Sequence, residues 1–111
     1  MDSMAERARM IKEWRMWVSK IAEAVKELLP DAEVYVVGSV VRGDFIAASD
    51  VDVVVVSKSA PRKPIEIARL KATVEEKLNL PYYHPFEIHV LSLEEAKYFL
   101  EKSKGCVLRI A

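Results

Sequence analysis

The segment from residue 33 to residue 56 constrains the fold of this chain more than any other part of its sequence. Glu33–Val37 is rich in β-branched residues and ends at Gly38, and Val53–Val56 is an unbroken run of four valines. β-branched residues favour strands, and short apolar runs bounded by turn residues are typical of strands that are buried on both faces. The sequence therefore predicts two buried strands joined by a short connection.

The beginning of that connection has the features of a phosphate site. Gly38-Ser39 ends the first strand, and the residues from Val40 to Gly43 are sufficient for about one turn of helix. The first N–H groups of a helix have no partner within it, and the positive end of the helix dipole lies there. Both effects attract anions, and the Ser39 hydroxyl adds a donor. We expect Gly38 and Ser39 to bind phosphate.

Two carboxylates stand where the second strand begins. Side chains of a strand alternate between its faces, so Asp50 and Asp52 should share one face, roughly 6–7 Å apart at ~3.3 Å per residue. Like charges on a largely apolar strand repel each other and lose hydration unless a cation lies between them. Mg²⁺ also takes substrate phosphates as ligands. The carboxylates and the phosphate turn together predict a magnesium-phosphate site.

A third acid is expected on a later strand. Phe86–Leu91 follows Pro85 and alternates large apolar with polar residues, which predicts a strand with Glu87 and His89 on one face. Glu87 is the candidate third metal ligand. For His89 we expect a structural role, and the alternative is a hydrogen bond to a metal ligand.

These motifs resemble those of the DNA polymerase β-like nucleotidyltransferase superfamily, and most closely its minimal nucleotidyltransferases, the small partners of HEPN-domain proteins in prokaryotic two-gene modules. That family has Gly-Ser, then Asp-x-Asp after a spacing like the ten residues found here, and an acid on a later strand. The resemblance covers nearly the whole chain. It implies one minimal nucleotidyltransferase domain over residues 1–111, of α/β (α+β) class, with a small mixed β-sheet backed by helices. The matching residues are Gly38, Ser39, Arg42, Gly43, Asp50, Asp52 and Glu87.

The resemblance also implies an activity. Asp50 and Asp52 would hold Mg²⁺ on the triphosphate of ATP, and Glu87 would help to hold a second Mg²⁺ ion. An acceptor hydroxyl would attack the α-phosphorus and expel pyrophosphate. In the family the chain is an antitoxin that transfers AMP to a tyrosine of its HEPN toxin, and this function is our first expectation. The nucleotide would be bound by Gly38, Ser39 and Arg42.

Other functions stay open at this point. Each motif by itself is more often an ordinary turn or a solvated acid. Two positions also depart from the family pattern, because Glu87 replaces the more usual Asp and Val41 stands where many members have a small residue. One alternative is a non-catalytic module that masks the RNA site of the HEPN partner. Another is nucleotidyl transfer to a small molecule such as an antibiotic.

Composition limits the classes of protein to which the chain can belong. Seventeen acidic residues balance seventeen Lys and Arg, so no overall charge directs the chain to nucleic acid or to a membrane. The single cysteine, Cys106, excludes an internal disulfide, and the N-terminal segment carries too many charges for a signal peptide. We expect a cytoplasmic protein. The absence of Gln and the single Asn79 are typical of heat-adapted proteins.

One long amphipathic helix is predicted before Pro30, with a capping box formed by Ser3 and Glu6. Met10 and Trp17 flank its apolar stripe and widen it, which leaves a homodimer or partner contact as an alternative to simple packing on the sheet. Further helices are predicted from Ile65 and after Ser92, and a short edge strand near the C-terminus. The stripe consists of Ile11, Trp14, Val18, Ile21, Val25 and Leu28.

Overall fold

The structure is a computed structural model that describes residues 2–44, 50–103 and 105–111. Its helices and strands alternate in the manner expected for a mixed sheet backed by helices, and the predicted fold class is confirmed. Within those ranges, the helices are all too short or too polar to cross a membrane. The elements are α1 (Ser3–Lys12), α2 (Trp14–Leu28), β1 (Glu33–Val37), a 3₁₀ helix (Ser39–Arg42), β2 (Val51–Val56), α3 (Pro64–Lys77), β3 (Phe86–Leu91), α4 (Leu93–Lys102) and β4 (Val107–Arg109).

The sheet has the strand order β3-β2-β1-β4. β1 is antiparallel to both of its neighbours, whereas β2 and β3 are parallel. A parallel pair requires a crossover connection, and α3 provides it between β2 and β3. The edge strand predicted near the C-terminus is present as β4. The two strands with the most β-branched residues, β1 and β2, therefore occupy the centre of the sheet.

The two faces of the sheet are covered unequally. One face packs against α1, α2 and α3 and forms the main core, to which β2 contributes Val51, Val53 and Val55. The other face carries a smaller cluster, in which Val54 and Val56 pack with Ala96 of α4. Because strand side chains alternate, Asp52 projects from this second face, which α4 covers only in part.

The N-terminal helix differs from the sequence prediction. It is interrupted at Glu13, whose backbone angles (φ −95°, ψ 22°) are not helical, so that α1 and α2 are separate helices. The prediction of one long helix was therefore wrong. The N-cap is Asp2 rather than Ser3, because the Asp2 carboxylate accepts hydrogen bonds from the Met4 and Ala5 N–H groups.

The apolar stripe of this region is buried from Ile11 to Val25, as predicted. Its last member is an exception, because Leu28 is exposed and Leu29, which ends the helix, is buried instead. Met10 is buried and Trp17 packs against Phe86. Met10 and Trp17 thus make packing contacts within the fold.

The helix predicted after Ser92 is present as α4 and begins with a capping box. The Ser92 hydroxyl accepts a hydrogen bond from the Glu95 N–H, and the Glu95 carboxylate accepts one from the Ser92 N–H. The hydrogen bond from the Ser92 N–H is the main cause that lowers the pKa of the Glu95 carboxylate below its ordinary value. The box determines where α4 begins after β3, and therefore how this helix lies across the second face of the sheet.

Asp31 links the segment before β1 to the segment after β2. Its carboxylate accepts hydrogen bonds from the Ser57 hydroxyl at 2.7 Å and from the Lys58 N–H at 2.9 Å. The Ser57 hydrogen bond is the main cause that lowers the pKa of Asp31, and the Lys58 N–H adds to it. Ser57 is itself buried. The ionised form of Asp31 is therefore favoured in the folded protein.

We predict that the stability contributed by Asp31 depends on pH. Since its pKa is lower in the folded than in the unfolded protein, ionised Asp31 stabilises the fold above the unfolded-state pKa. This contribution is lost as the pH falls through the folded-state pKa. Urea unfolding should show Asp31→Asn to be less stable than the wild type at neutral pH and similar to it in acid. Glu23→Gln, at an exposed position of α2, is the control. A stability difference that is the same at every pH would contradict the prediction.

Candidate active site

The register of the sheet places two of the predicted acids side by side. Asp52 on β2 is paired with Glu87 on β3, and residues paired across neighbouring strands point to the same face. His89 lies two residues after Glu87 and projects from that face too. One ligand atom from each of these three side chains lies within 4.8 Å of the other two. The cluster is open to solvent, because Glu87 is exposed and the Asp52 side chain is 36% exposed.

His89 orients Asp52. The His89 Nε2 atom lies 3.0 Å from Asp52 Oδ1. An ionised carboxylate only accepts hydrogen bonds, so Nε2 carries the proton in this contact. The imidazole also packs against the Phe99 ring of α4, with 5.1 Å between the ring centroids. α4 thus holds His89 in place, and His89 holds one oxygen of Asp52.

The other oxygen of Asp52 faces the Gly-Ser turn. Gly38 follows Val37, the residue of β1 that is paired with Asp52. A Cβ atom on Gly38 would lie 3.7 Å from Asp52 Oδ2, so the turn and the carboxylate are in contact distance. The backbone of Gly38 has φ 100° and ψ −166°, which L residues with a side chain rarely adopt. Glycine is required here for its backbone angles.

The short helix predicted after this turn is present as the 3₁₀ helix Ser39–Arg42. Its predicted stop, Gly43, has a left-handed backbone conformation with φ 80°. Val40 is buried, and Val41 packs against the main core. The bulky residue at position 41 is therefore accommodated by core packing. Arg42 is exposed to solvent.

Asp50 directly precedes β2 and is paired with an arginine of α1. β2 begins at Val51, so Asp50 precedes the strand and the alternation of strand side chains does not determine where it points. Its Oδ1 atom is 2.8 Å from Nη2 of Arg7 on α1. In the part of the chain that the structure describes, the group able to hold a metal ion consists of Asp52, Glu87 and His89, without Asp50.

Arg7 was not identified from the sequence, and for His89 the sequence predicted a structural role, with a hydrogen bond to a metal ligand as the alternative. Arg7 is 43 residues before Asp50, and a charged residue on the polar side of an amphipathic helix carries no local sign of its partner. His89 had one usable sign, because it shares a strand face with Glu87. Its contact with Asp52 follows from the parallel register of β2 and β3, which the sequence does not specify.

The cluster fits a hard divalent cation such as Mg²⁺. Such an ion takes oxygen ligands at about 2.1 Å, so the carboxylates of Asp52 and Glu87 need only small rotations to share one ion. The exposure of both side chains leaves room for water or phosphate oxygens in the remaining positions. His89 suits the site as the hydrogen-bond partner of Asp52, since a ligating histidine nitrogen cannot carry a proton.

Residues 18–109 match the sequence model of the nucleotidyltransferase domain family. The chain belongs to the nucleotidyltransferase domain family. The matched region contains the Gly38 turn, Asp52 and Glu87, whereas α1 lies before it. Membership supports nucleotidyl transfer as the general activity of this nucleotidyltransferase domain.

The fold of this nucleotidyltransferase domain also occurs in a crystal structure solved at 1.40 Å, that of a proposed nucleotidyltransferase from Sulfolobus solfataricus. The two proteins have a TM-score of 0.56 and 24% sequence identity, and the similarity covers 98% of this chain and 86% of that chain. At this level of identity the similarity concerns the fold. No curated protein matches the chain.

We predict that the two turn glycines next to the site respond differently to substitution. Gly38→Ala should cost about 1–3 kcal/mol of stability, because its backbone angles are accessible almost only to glycine. It should also weaken the binding of a metal-bound nucleoside triphosphate, since the turn is in contact distance of Asp52. Gly43→Ala is the matched control, because it also has positive φ but its Cβ atom would meet nothing within 4 Å.

Urea unfolding and calorimetric titration with Mg-ATP measure the two effects separately. Gly43→Ala should lose about 1 kcal/mol of stability and retain nucleotide binding. Equal losses of nucleotide binding in both variants would show that the Gly38 turn has no particular relation to the site.

Proposed function

We propose that this nucleotidyltransferase domain transfers AMP from Mg-ATP to a hydroxyl group of a partner protein. The proposed acceptor is a tyrosine of a HEPN-domain toxin, and the chain would act as the antitoxin. The observation that carries the proposal is the position of Asp52, which lies between the Gly38 turn on one side and Glu87 on the other. A phosphate-binding turn beside paired carboxylates is what a metal-bound triphosphate requires.

The residues around Asp52 have complementary roles in this proposal. Asp52 and Glu87 bind the divalent cation, and Asp50 joins them from the start of β2. When bound, the cation neutralises charge on the triphosphate and on the expelled pyrophosphate. The β- and γ-phosphates are bound by the turn that contains Gly38 and Ser39, with Arg42 as a further cation. The Gly38 N–H donates to the Cys106 carbonyl and the Val41 N–H to the Gly38 carbonyl, so the proposed donors to phosphate are the N–H and the hydroxyl of Ser39.

The transfer itself needs one proton acceptor. The acceptor hydroxyl gives its proton to a carboxylate, for which Glu87 is the exposed candidate, and its oxygen forms a bond to the α-phosphorus. The bond from the α-phosphorus to the bridging oxygen breaks, and pyrophosphate leaves. The product is an AMP phosphodiester on the acceptor.

The openness of the site supports a macromolecular acceptor. Pockets that select small molecules bury most of the ligand surface. Here Glu87 is exposed, and α4 covers the second face of the sheet only in part. The same helix exposes Leu93 and Tyr98, which offer apolar contacts to a protein surface. The choice of a HEPN protein rests on the resemblance of the sequence motifs to minimal nucleotidyltransferases.

Intact mass spectrometry of a HEPN-domain protein encoded beside this chain tests the proposal. After incubation with the chain, ATP and Mg²⁺, the partner should gain one or more AMP units, and peptide mapping should place them on tyrosine. Asp52→Asn should reduce the rate by a factor on the order of 10² or more, because it removes a charged cation ligand. Glu23→Gln on exposed α2 is the control and should retain the rate.

The other outcomes point to the alternative functions. A partner that is silenced without gaining mass, by the wild type and by Asp52→Asn alike, would replace the proposal with a masking module. A partner that is neither modified nor bound would exclude the antitoxin role. In that case, transfer of AMP to small hydroxyl compounds is the reaction to measure next.

A further inference from the structure

The N-terminal helix α1 is attached to both strands that carry the acidic cluster. Arg7 forms an ion pair with Asp50, which directly precedes β2. The neighbouring residue, Glu6, accepts a hydrogen bond from the Tyr83 hydroxyl, in the segment that leads into β3. Two successive side chains of one helix thus contact the segments that lead into β2 and β3.

This helix lies before the residues that match the family's sequence model. The match to the nucleotidyltransferase domain begins at residue 18, within α2, and α1 ends at Lys12. In the contact between Arg7 and Asp50, Arg7 therefore lies outside the matched region and Asp50 lies inside it.

The ion pair between Arg7 and Asp50 is exposed to solvent and is made by a single contact. The Arg7 side chain is 30% exposed and that of Asp50 is 49% exposed, so solvent and ions reach both groups. Ion pairs at this exposure are weak and exchange readily. The contact is made by one guanidinium nitrogen and one carboxylate oxygen rather than by a two-point fork. Asp50 directly precedes β2 and is two residues from Asp52, a member of the cluster.

We propose that Arg7 and the divalent cation compete for Asp50. In the cation-free protein, the guanidinium neutralises Asp50 and keeps it outside the group formed by Asp52, Glu87 and His89. The cation binds fully only when this ion pair opens, because the Asp50 carboxylate is then available as a ligand. The proposal rests on the proposed function, because it concerns the same cation site. α1 thereby reduces the cation affinity of the free protein.

Mn²⁺ binding in the absence of nucleotide tests this competition. Mn²⁺ takes the same oxygen ligands as Mg²⁺, and electron paramagnetic resonance measures the free ion directly. Arg7→Gln should bind Mn²⁺ about fivefold more tightly than the wild type, as expected for the loss of an exposed competing ion pair. Arg9→Gln removes the same charge from an exposed position of the same helix and should leave the affinity unchanged.

A double-mutant cycle separates the competition for Asp50 from a general effect of charge. In an Asp50→Asn background the Arg7→Gln substitution should give no further gain in affinity, because the carboxylate for which both compete is gone. Thermal unfolding verifies that each variant is folded. Arg7→Lys is the second variant. Its Mn²⁺ affinity should lie between those of the wild type and Arg7→Gln, since lysine keeps the charge but not the guanidinium geometry.

The possible failures are distinguishable. If Arg7→Gln leaves Mn²⁺ affinity unchanged or weakens it while Asp52→Asn abolishes binding, the competition is refuted and the proposed cation site stands. If Arg7→Gln raised the Mn²⁺ affinity by the same factor in the Asp50→Asn background, the competition would also be refuted. If Mn²⁺ binds to neither the wild type nor Arg7→Gln, the cation site fails and the competition fails with it.

Discussion

The burial of β2 between β1 and β3 is the constraint on which the rest of the structure depends. Its valines from Val53 to Val55 are fully buried, and a buried valine contributes about 1.5–3 kcal/mol relative to an exposed one. Burial on both faces leaves this strand only a central position in the sheet. Its register with both neighbours then determines what lies beside Asp52, namely Val37 followed by the Gly38 turn, and Glu87 on the opposite side.

The unequal covering of the sheet explains why a charged site and a tight core coexist on one strand. Alternate residues of β2 enter the main core, while Asp52 projects from the face that α4 covers only in part. A slip of the register by one residue would move Asp52 into the main core and expose valines, at a large cost in desolvation. The packing that stabilises the fold therefore also holds the carboxylate at the surface.

The geometry around Asp52 is set from three directions. His89, supported by Phe99 of α4, holds one carboxylate oxygen, and the glycine turn after β1 lies against the other. Glu87 stands beside it on the parallel strand. Each contact comes from a different element, so the site is preorganised by the sheet and α4 together.

Much of this arrangement could be predicted from local sequence patterns. The informative patterns each involve only a few neighbouring residues: β-branched runs, glycines at the ends of a short helix and a Ser-x-x-Glu box. The structure has strands, a turn and a helix start at these places. Alternation along Phe86–Leu91 likewise predicted that Glu87 and His89 share a face. The interruption at Glu13 was not predicted, because the apolar stripe continues across it.

By itself, the sequence determined the strands, the glycine turn and the residue types available for a cation and a phosphate, since these depend on neighbouring residues. Only the tertiary structure decided which acids meet. Asp52 lies with Glu87 and His89 because of a parallel register, and Asp50 is paired with Arg7 because α1 packs near the start of β2. Such contacts join residues that are far apart in the chain, and their geometry depends on the packing of several elements at once, which no local pattern encodes.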